Sequence, residues 1–207
     1  MKWNLPNLLT VLRLLAAPGV ALMFLYFARP LADWFALTLF VMAAVTDWFD
    51  GYLARLWHQE SKFGAMMDPI ADKAMVVIAL VIITGYSGMN PWLILPVTVI
   101  LFREVFVSGL REFLGADSGK LKVTKLAKWK TTAQMVAISA MFLGTGLTYL
   151  EKGRPPVVGE GDLPEGASLA DLATHAGLAL IWIAAILTAI TGWDYFRKSL
   201  PYLRGPK

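Results

Sequence analysis

The sequence predicts an all-α integral membrane protein of six transmembrane helices in one bundle, with an N-terminal amphipathic segment and both termini cytoplasmic. Three observations predict it. Of 207 residues, 57% are hydrophobic and 16% charged, too apolar for an ordinary soluble domain. Charge-free stretches run over residues 14–28, 34–46, 74–102, 131–150 and 172–193, the third interrupted by Gly-Tyr-Ser-Gly-Met-Asn-Pro at 85–91. Lys and Arg cluster at alternate ends of these stretches, leaving only Arg29, Lys152 and Arg154 opposite, so the positive-inside rule sets the orientation.

A span needs about 20 residues, and the elements follow in order. The first helix is expected over residues 8–28, after Pro6, and the second over 32–57. The third, over 68–85, starts at Asp68-Pro69 and stops at the Gly/Ser/Asn/Pro turn; the fourth, over 91–113, starts at Pro91. A lysine-rich stretch separates the fourth from the fifth, over 127–150. A connection over 151–171, rich in Gly, Pro and acids, leads to the sixth, over 173–198, and faces outward. One membrane domain over 1–207 accounts for the chain.

The N-terminal Met-Lys-Trp-Asn-Leu-Pro-Asn enters the first span without a small-residue cleavage site, so it reads as retained structure. Absence of cysteine excludes disulfides, thiolate chemistry and zinc–cysteine sites. No internal repeat, low-complexity tract or glycine-rich phosphate loop occurs, so a repeat-built transporter is unsupported. The net charge of +4, on the cytoplasmic side, suits the lipid bilayer or an anionic substrate; no nucleic-acid partner is expected.

Four aspartates stand in this apolar context at 47, 50, 68 and 72. Carboxylates are costly at a bilayer, so they need a reason. Asp47 and Asp50 are three residues apart and Asp68 and Asp72 four apart, so each pair shares a helix face and the two pairs face each other on antiparallel helices. Any one of them could be a cap or an interfacial charge, and Asp68 before Pro69 suits a cap. Together they would repel unless cations or protons join them. All-oxygen ligation selects Mg²⁺ or Mn²⁺ before zinc, and four carboxylates can bridge two such ions about 4 Å apart. Gly51, Ala54 and Gly64 leave faces with little side chain, suited to a flat ligand or to close helix packing.

The run fits D-x₂-D-G-x₂-A-R-x₈-G-x₃-D-x₃-D at every fixed position and resembles the CDP-alcohol phosphotransferase family. The resemblance implies a six-helix membrane enzyme with two metal ions per active site that joins an alcohol to the phosphatidyl group of a CDP-activated lipid and releases CMP. By position, Asp47, Asp50 and Asp68 would ligate metal, Asp72 would ligate metal and act as general base, and Gly51, Arg55 and Ser61 would line the CDP site, with Ala54 and Gly64 leaving room. An aspartate beside a metal can accept the proton of an alcohol polarised for attack, which agrees with that assignment.

Arg103 lies inside an apolar helix and Arg111 two turns on along a similar face. Glu104 and Glu112 follow them directly, but adjacent helix positions do not face each other, which weakens internal pairing. Two arginines joined by Lys128 or Lys130 would form a phosphate site, so the acceptor carries a phosphate. Lys120, Lys122 and Lys125 read as ordinary headgroup contacts.

Three further segments, Asn-Leu-Pro-Asn-Leu-Leu-Thr-Val-Leu-Arg at 4–13, Phe-Arg-Glu-Val-Phe-Val-Ser-Gly-Leu-Arg-Glu at 102–112 and Ala-Lys-Trp-Lys-Thr-Thr-Ala-Gln at 127–134, are similar to the phosphatidylglycerophosphate synthase branch of that family. This implies CDP-diacylglycerol as donor, sn-glycerol 3-phosphate as acceptor, Asn7 and Thr10 near the nucleotide, a homodimer, and the bacterial inner membrane with the active site facing the cytoplasm. Inositol phosphate or phosphatidylglycerol are the competing acceptors. A cation transporter is the alternative from another class, disfavoured because aspartates and cations gather toward one face. His58 and His175 are expected at interfaces rather than in the chemistry.

Overall fold

Among the described residues, long apolar runs separated by Gly, Pro, Asn and Ser fold as six helices: α1 (Leu5–Tyr26), α2 (Leu31–Leu56), α3 (Lys62–Tyr86), α4 (Pro91–Leu114), α5 (Lys125–Lys152) and α6 (Leu169–Leu203). The structure is a computed structural model that describes residues 5–56, 61–115, 119, 125–153 and 167–203. Among the described residues four stretches, Asn7–Tyr26, Pro91–Leu114, Trp129–Lys152 and Leu169–Leu203, are long and apolar enough to cross a membrane. The other two helices, of 26 and 25 residues, carry the acidic motif.

Neighbour relations close a cycle: α1 packs on α2 and α3, α2 on α5, α5 on α6, α6 on α4, and α4 on α3, with α3 also touching α5. Small residues set the closest approach. At Gly177 an added Cβ would stand 3.0 Å from the Met141 backbone nitrogen, and at Gly144 it would stand 2.8 Å from that of Thr174. The centre is filled by Phe40, Leu80, Ile100, Ile138, Phe142 and Ile181. Leu25, Phe102, Val105 and Phe113 are 69–75% exposed, an apolar exterior that suits lipid rather than water.

The turn between α3 and α4 comes where the sequence places it. Gly88 and Met89 both adopt φ 63°, and Asn90 caps α4 by accepting the Trp92 N–H at 2.9 Å ahead of Pro91. Two helix starts differ from expectation. α3 begins at Lys62, so Asp68 lies in its second turn and neither opens nor caps it; the cap is Ser61, whose hydroxyl accepts the Gly64 N–H at 2.9 Å, and Pro69 sits inside the helix. α6 begins at Leu169 because Ser168 and Asp171 form a reciprocal box, the hydroxyl accepting the Asp171 N–H at 3.2 Å and the carboxylate accepting the Ser168 N–H at 3.3 Å.

The bundle has two polar ends. At one, Arg29 pairs with the fully buried Asp33, which also accepts the Thr145 hydroxyl at 2.7 Å. The guanidinium lies 5.0, 4.9 and 4.2 Å from the ring centroids of Phe24, Tyr86 and Tyr149, tying the α1–α2 connection to α3 and α5. The other end holds the aspartates.

Candidate active site

α1, α2 and α3 bring three of the four motif aspartates around one cation. Arg13, with a side chain 1% exposed, donates to Asp47 and, at 2.5 Å, to Asp72, and its second terminal nitrogen stands 3.9 Å from Asp68. The aspartates are 38%, 32% and 44% exposed, so their outer faces remain open while the guanidinium holds their inner ones. Like charges on two helices are thereby held near each other by a third. Arg13 enters the sequence reading only as the end of the segment at 4–13, with no role assigned to it.

The same face of α1 carries the next contacts toward its N-terminus. Thr10 donates to Asp68 at 2.7 Å, and the Asn7 side-chain oxygen accepts the Ser61 hydroxyl at 2.7 Å. Thr10 therefore orients a motif carboxylate. Ser61 acts as the α3 cap. Gly64 does not leave the expected gap: a Cβ there would sit 3.0 Å from the Asn7 oxygen and 3.3 Å from the Ser61 hydroxyl, so its missing side chain admits the Asn7–Ser61 pair.

Beside the aspartates lies a cavity of about 220 Å³ walled by α3, α4, α5 and α6. Asp72 forms part of its wall, and Lys73, Arg103, Arg111 and Lys130 line it with cationic groups. Arg103 passes close under α6, where a Cβ on Gly192 would stand 2.8 Å from its Cγ, so glycine is required for that path. Arg111 is exposed and lies over the Tyr195 ring, 5.3 Å from its centroid.

Glu104 corrects one expectation. It is buried, accepts from Arg103 at 3.1 Å and pairs with Lys130, so internal pairing does occur between neighbouring positions. The rule that adjacent helix residues diverge holds at Cβ. A long guanidinium side chain curls back far enough to defeat it. Lys73 donates to the Ser108 hydroxyl at 2.5 Å, which in turn donates to the Glu104 carbonyl at 2.6 Å.

The backbone of α2 runs through Asp50, Gly51, Ala54 and Arg55, but their side chains, like that of Lys128 in α5, fall outside the described residues, as does His58. His175 lies at the far end of the bundle, its Nδ1 2.7 Å from the Asp171 carbonyl, away from the aspartates as expected. Among the described residues no three acidic or imidazole groups stand in coordinating geometry. The donor chemistry nonetheless fits a hard divalent ion, because carboxylate oxygens from α2 and α3 converge, partly open, on a common cationic centre without sulfur or imidazole.

Residues 3–190 match the family described as CDP-alcohol phosphatidyltransferase. The chain is 72% identical, over all of both sequences, to a Cereibacter sphaeroides protein named CDP-diacylglycerol–glycerol-3-phosphate 3-phosphatidyltransferase. Proteins of the same name from Rickettsia bellii and Escherichia coli K12 are 40% and 38% identical, covering 96% and 91% of this chain and 97% and 90% of their own. The aspartate-bearing helices thus lie within the matched region, as does the cavity wall apart from Thr191, Asp194 and Tyr195, and the chain belongs to the CDP-alcohol phosphatidyltransferase family.

Proposed function

We propose that this protein transfers the phosphatidyl group of CDP-diacylglycerol to sn-glycerol 3-phosphate, giving phosphatidylglycerol phosphate and CMP. The observation that carries the reading is the position of Asp72, which belongs both to the Arg13-centred carboxylates and to the wall of the cation-lined cavity. A donor pyrophosphate on one side and an acceptor phosphate on the other would bring the two reacting groups together at that residue. The names of the similar proteins support the same donor and acceptor.

Asp47, Asp50, Asp68 and Asp72 would hold two Mg²⁺ or Mn²⁺ ions. Ions held there would supply charge stabilisation to the pyrophosphate oxygens. Gly51, Ala54 and Arg55, with Asn7, Thr10 and Ser61, form the nucleotide side; Thr10 fixes the Asp68 rotamer, and the Asn7–Ser61 pair, admitted by Gly64, fixes the start of α3. Arg103, Arg111, Lys128 and Lys130 form the acceptor side. Held there by its phosphate, the acceptor presents a hydroxyl to the donor phosphorus. Asp72 accepts the hydroxyl proton as the new P–O bond forms, and the bond from phosphorus to the bridging oxygen of CMP breaks, leaving CMP with the electron pair.

The single domain crosses the bacterial inner membrane six times, with both termini and this polar end on the cytoplasmic side, as the lysine and arginine distribution supports. It works as a homodimer, a statement that rests on family resemblance and is tested by the mass of the detergent-purified protein. The transfer itself is tested with labelled glycerol 3-phosphate: label should enter the lipid extract only when CDP-diacylglycerol and a divalent ion are both supplied. Full transfer in metal-free buffer would contradict the metal assignment, and no transfer under any condition would contradict the reaction.

A further inference from the structure

The four cations of the cavity are not equivalent. Arg103 and Lys130 share one buried carboxylate, Glu104, so part of their charge is already neutralised inside the wall. Arg111 rests on the Tyr195 ring. Lys73 is different: its ammonium donates at 2.5 Å to a neutral partner, the Ser108 hydroxyl, and that hydroxyl is oriented by its own bond to the Glu104 carbonyl. Ser108 therefore aims the charge without pairing with it, and Glu104, in direct contact with Arg103 and Lys130, acts on Lys73 only at longer range. Lys73 also follows Asp72 directly and lines the same cavity.

We propose that Lys73 is a ligand of the acceptor phosphate, acting with Arg111, while Glu104 holds Arg103 and Lys130 as a less available second layer of charge. The inference rests on the acceptor site proposed above. An anion entering the cavity gains most from the cations whose charge is least compensated, since pairing with Arg103 or Lys130 must compete with Glu104. It also explains why an ammonium stands beside the proposed base. A compact point charge with three donors can hold a phosphate oxygen while keeping its bond to Ser108. The phosphate is then fixed within one residue of the carboxylate that receives the proton.

The test compares the apparent KM values of purified Lys73→Gln, Lys73→Arg, Lys130→Gln and Arg111→Ala for glycerol 3-phosphate and for CDP-diacylglycerol, with thermal unfolding in detergent measured on each. Loss of a charge-assisted contact should raise the acceptor KM of Lys73→Gln roughly 10- to 100-fold. The KM for CDP-diacylglycerol and the unfolding temperature should stay near wild type, Lys73→Arg should recover much of the loss, and Lys130→Gln should show a smaller rise. If Arg111→Ala raises the acceptor KM while Lys73→Gln leaves it unchanged, Lys73 is not a ligand although the acceptor site stands. If neither moves it, both the acceptor site and this assignment fall. A rise in both KM values together with an equal loss of stability in Lys73→Gln and Lys73→Arg would assign Lys73 to structure alone.

Discussion

Arg13 donates to Asp72 at 2.5 Å from a helix that contributes no aspartate of its own. That one bond, with the companion contact to Asp47, ties α1 to the aspartates that the motif places on α2 and α3. Removing one member of a buried ion pair costs roughly 3–5 kcal/mol, less where water reaches the partner. Since the aspartates are 32–44% exposed, about 1–3 kcal/mol is the appropriate range for Arg13→Gln. The loss should be larger in chelator than in Mg²⁺, because an ion can take over the neutralisation. Equal unfolding-temperature losses with and without Mg²⁺ would assign Arg13 to packing alone.

Asp72→Asn should keep CDP-lipid binding and lose turnover by about 10²- to 10⁴-fold, the usual contribution of a positioned base. An amide fills the position and can still accept from Arg13, but it cannot take the alcohol proton. Near-normal kcat with bound metal unchanged would remove Asp72 as the base.

Gly192→Ala tests the path of Arg103. The added methyl would come within 2.8 Å of the Arg103 Cγ, near the fixed root of the side chain, where it cannot easily swing away. Arg103 should be displaced from the cavity, raising the glycerol 3-phosphate KM several-fold with little change for CDP-diacylglycerol. An unchanged acceptor KM would show that Arg103 contributes nothing to the acceptor site, even as second-layer charge.

The absence of cysteine makes sidedness easy to measure. Single cysteines at Glu160 and Lys207 should react with an impermeant thiol reagent from opposite sides of inner-membrane vesicles. Labelling of both from one side would contradict a membrane crossing by α6.

Much of this architecture could be read from residue patterns. The helices follow from the charge-free runs, and Asn90-Pro91 marks the start of α4 because the cap and the proline act locally. The start of α3 was missed because Asp68-Pro69 offers a stronger stop-and-start signal than Ser61, although a helix tolerates Pro69 once its first turn is capped upstream. The start of α6 carried a signal in Ser168-x-x-Asp171 that was outweighed by hydropathy. Arg13 also had one: Asn7, Thr10 and Arg13 are spaced by three on an otherwise apolar helix, a polar stripe that points at the motif. Pairing through Glu104 could not be read, because it depends on how two long side chains bend in a shared cavity.

The proposed reaction joins a CDP-activated lipid to a phosphorylated alcohol in one cavity, with Asp72 in its wall. Its most direct test is CMP release from CDP-diacylglycerol by the detergent-purified protein with glycerol 3-phosphate, inositol phosphate, free inositol, glycerol and phosphatidylglycerol offered in turn. Release should depend on Mg²⁺ or Mn²⁺, stand far above all others with glycerol 3-phosphate, and be lost in Asp72→Asn. Equal release with free glycerol, or release that survives Asp72→Asn, would contradict the proposal.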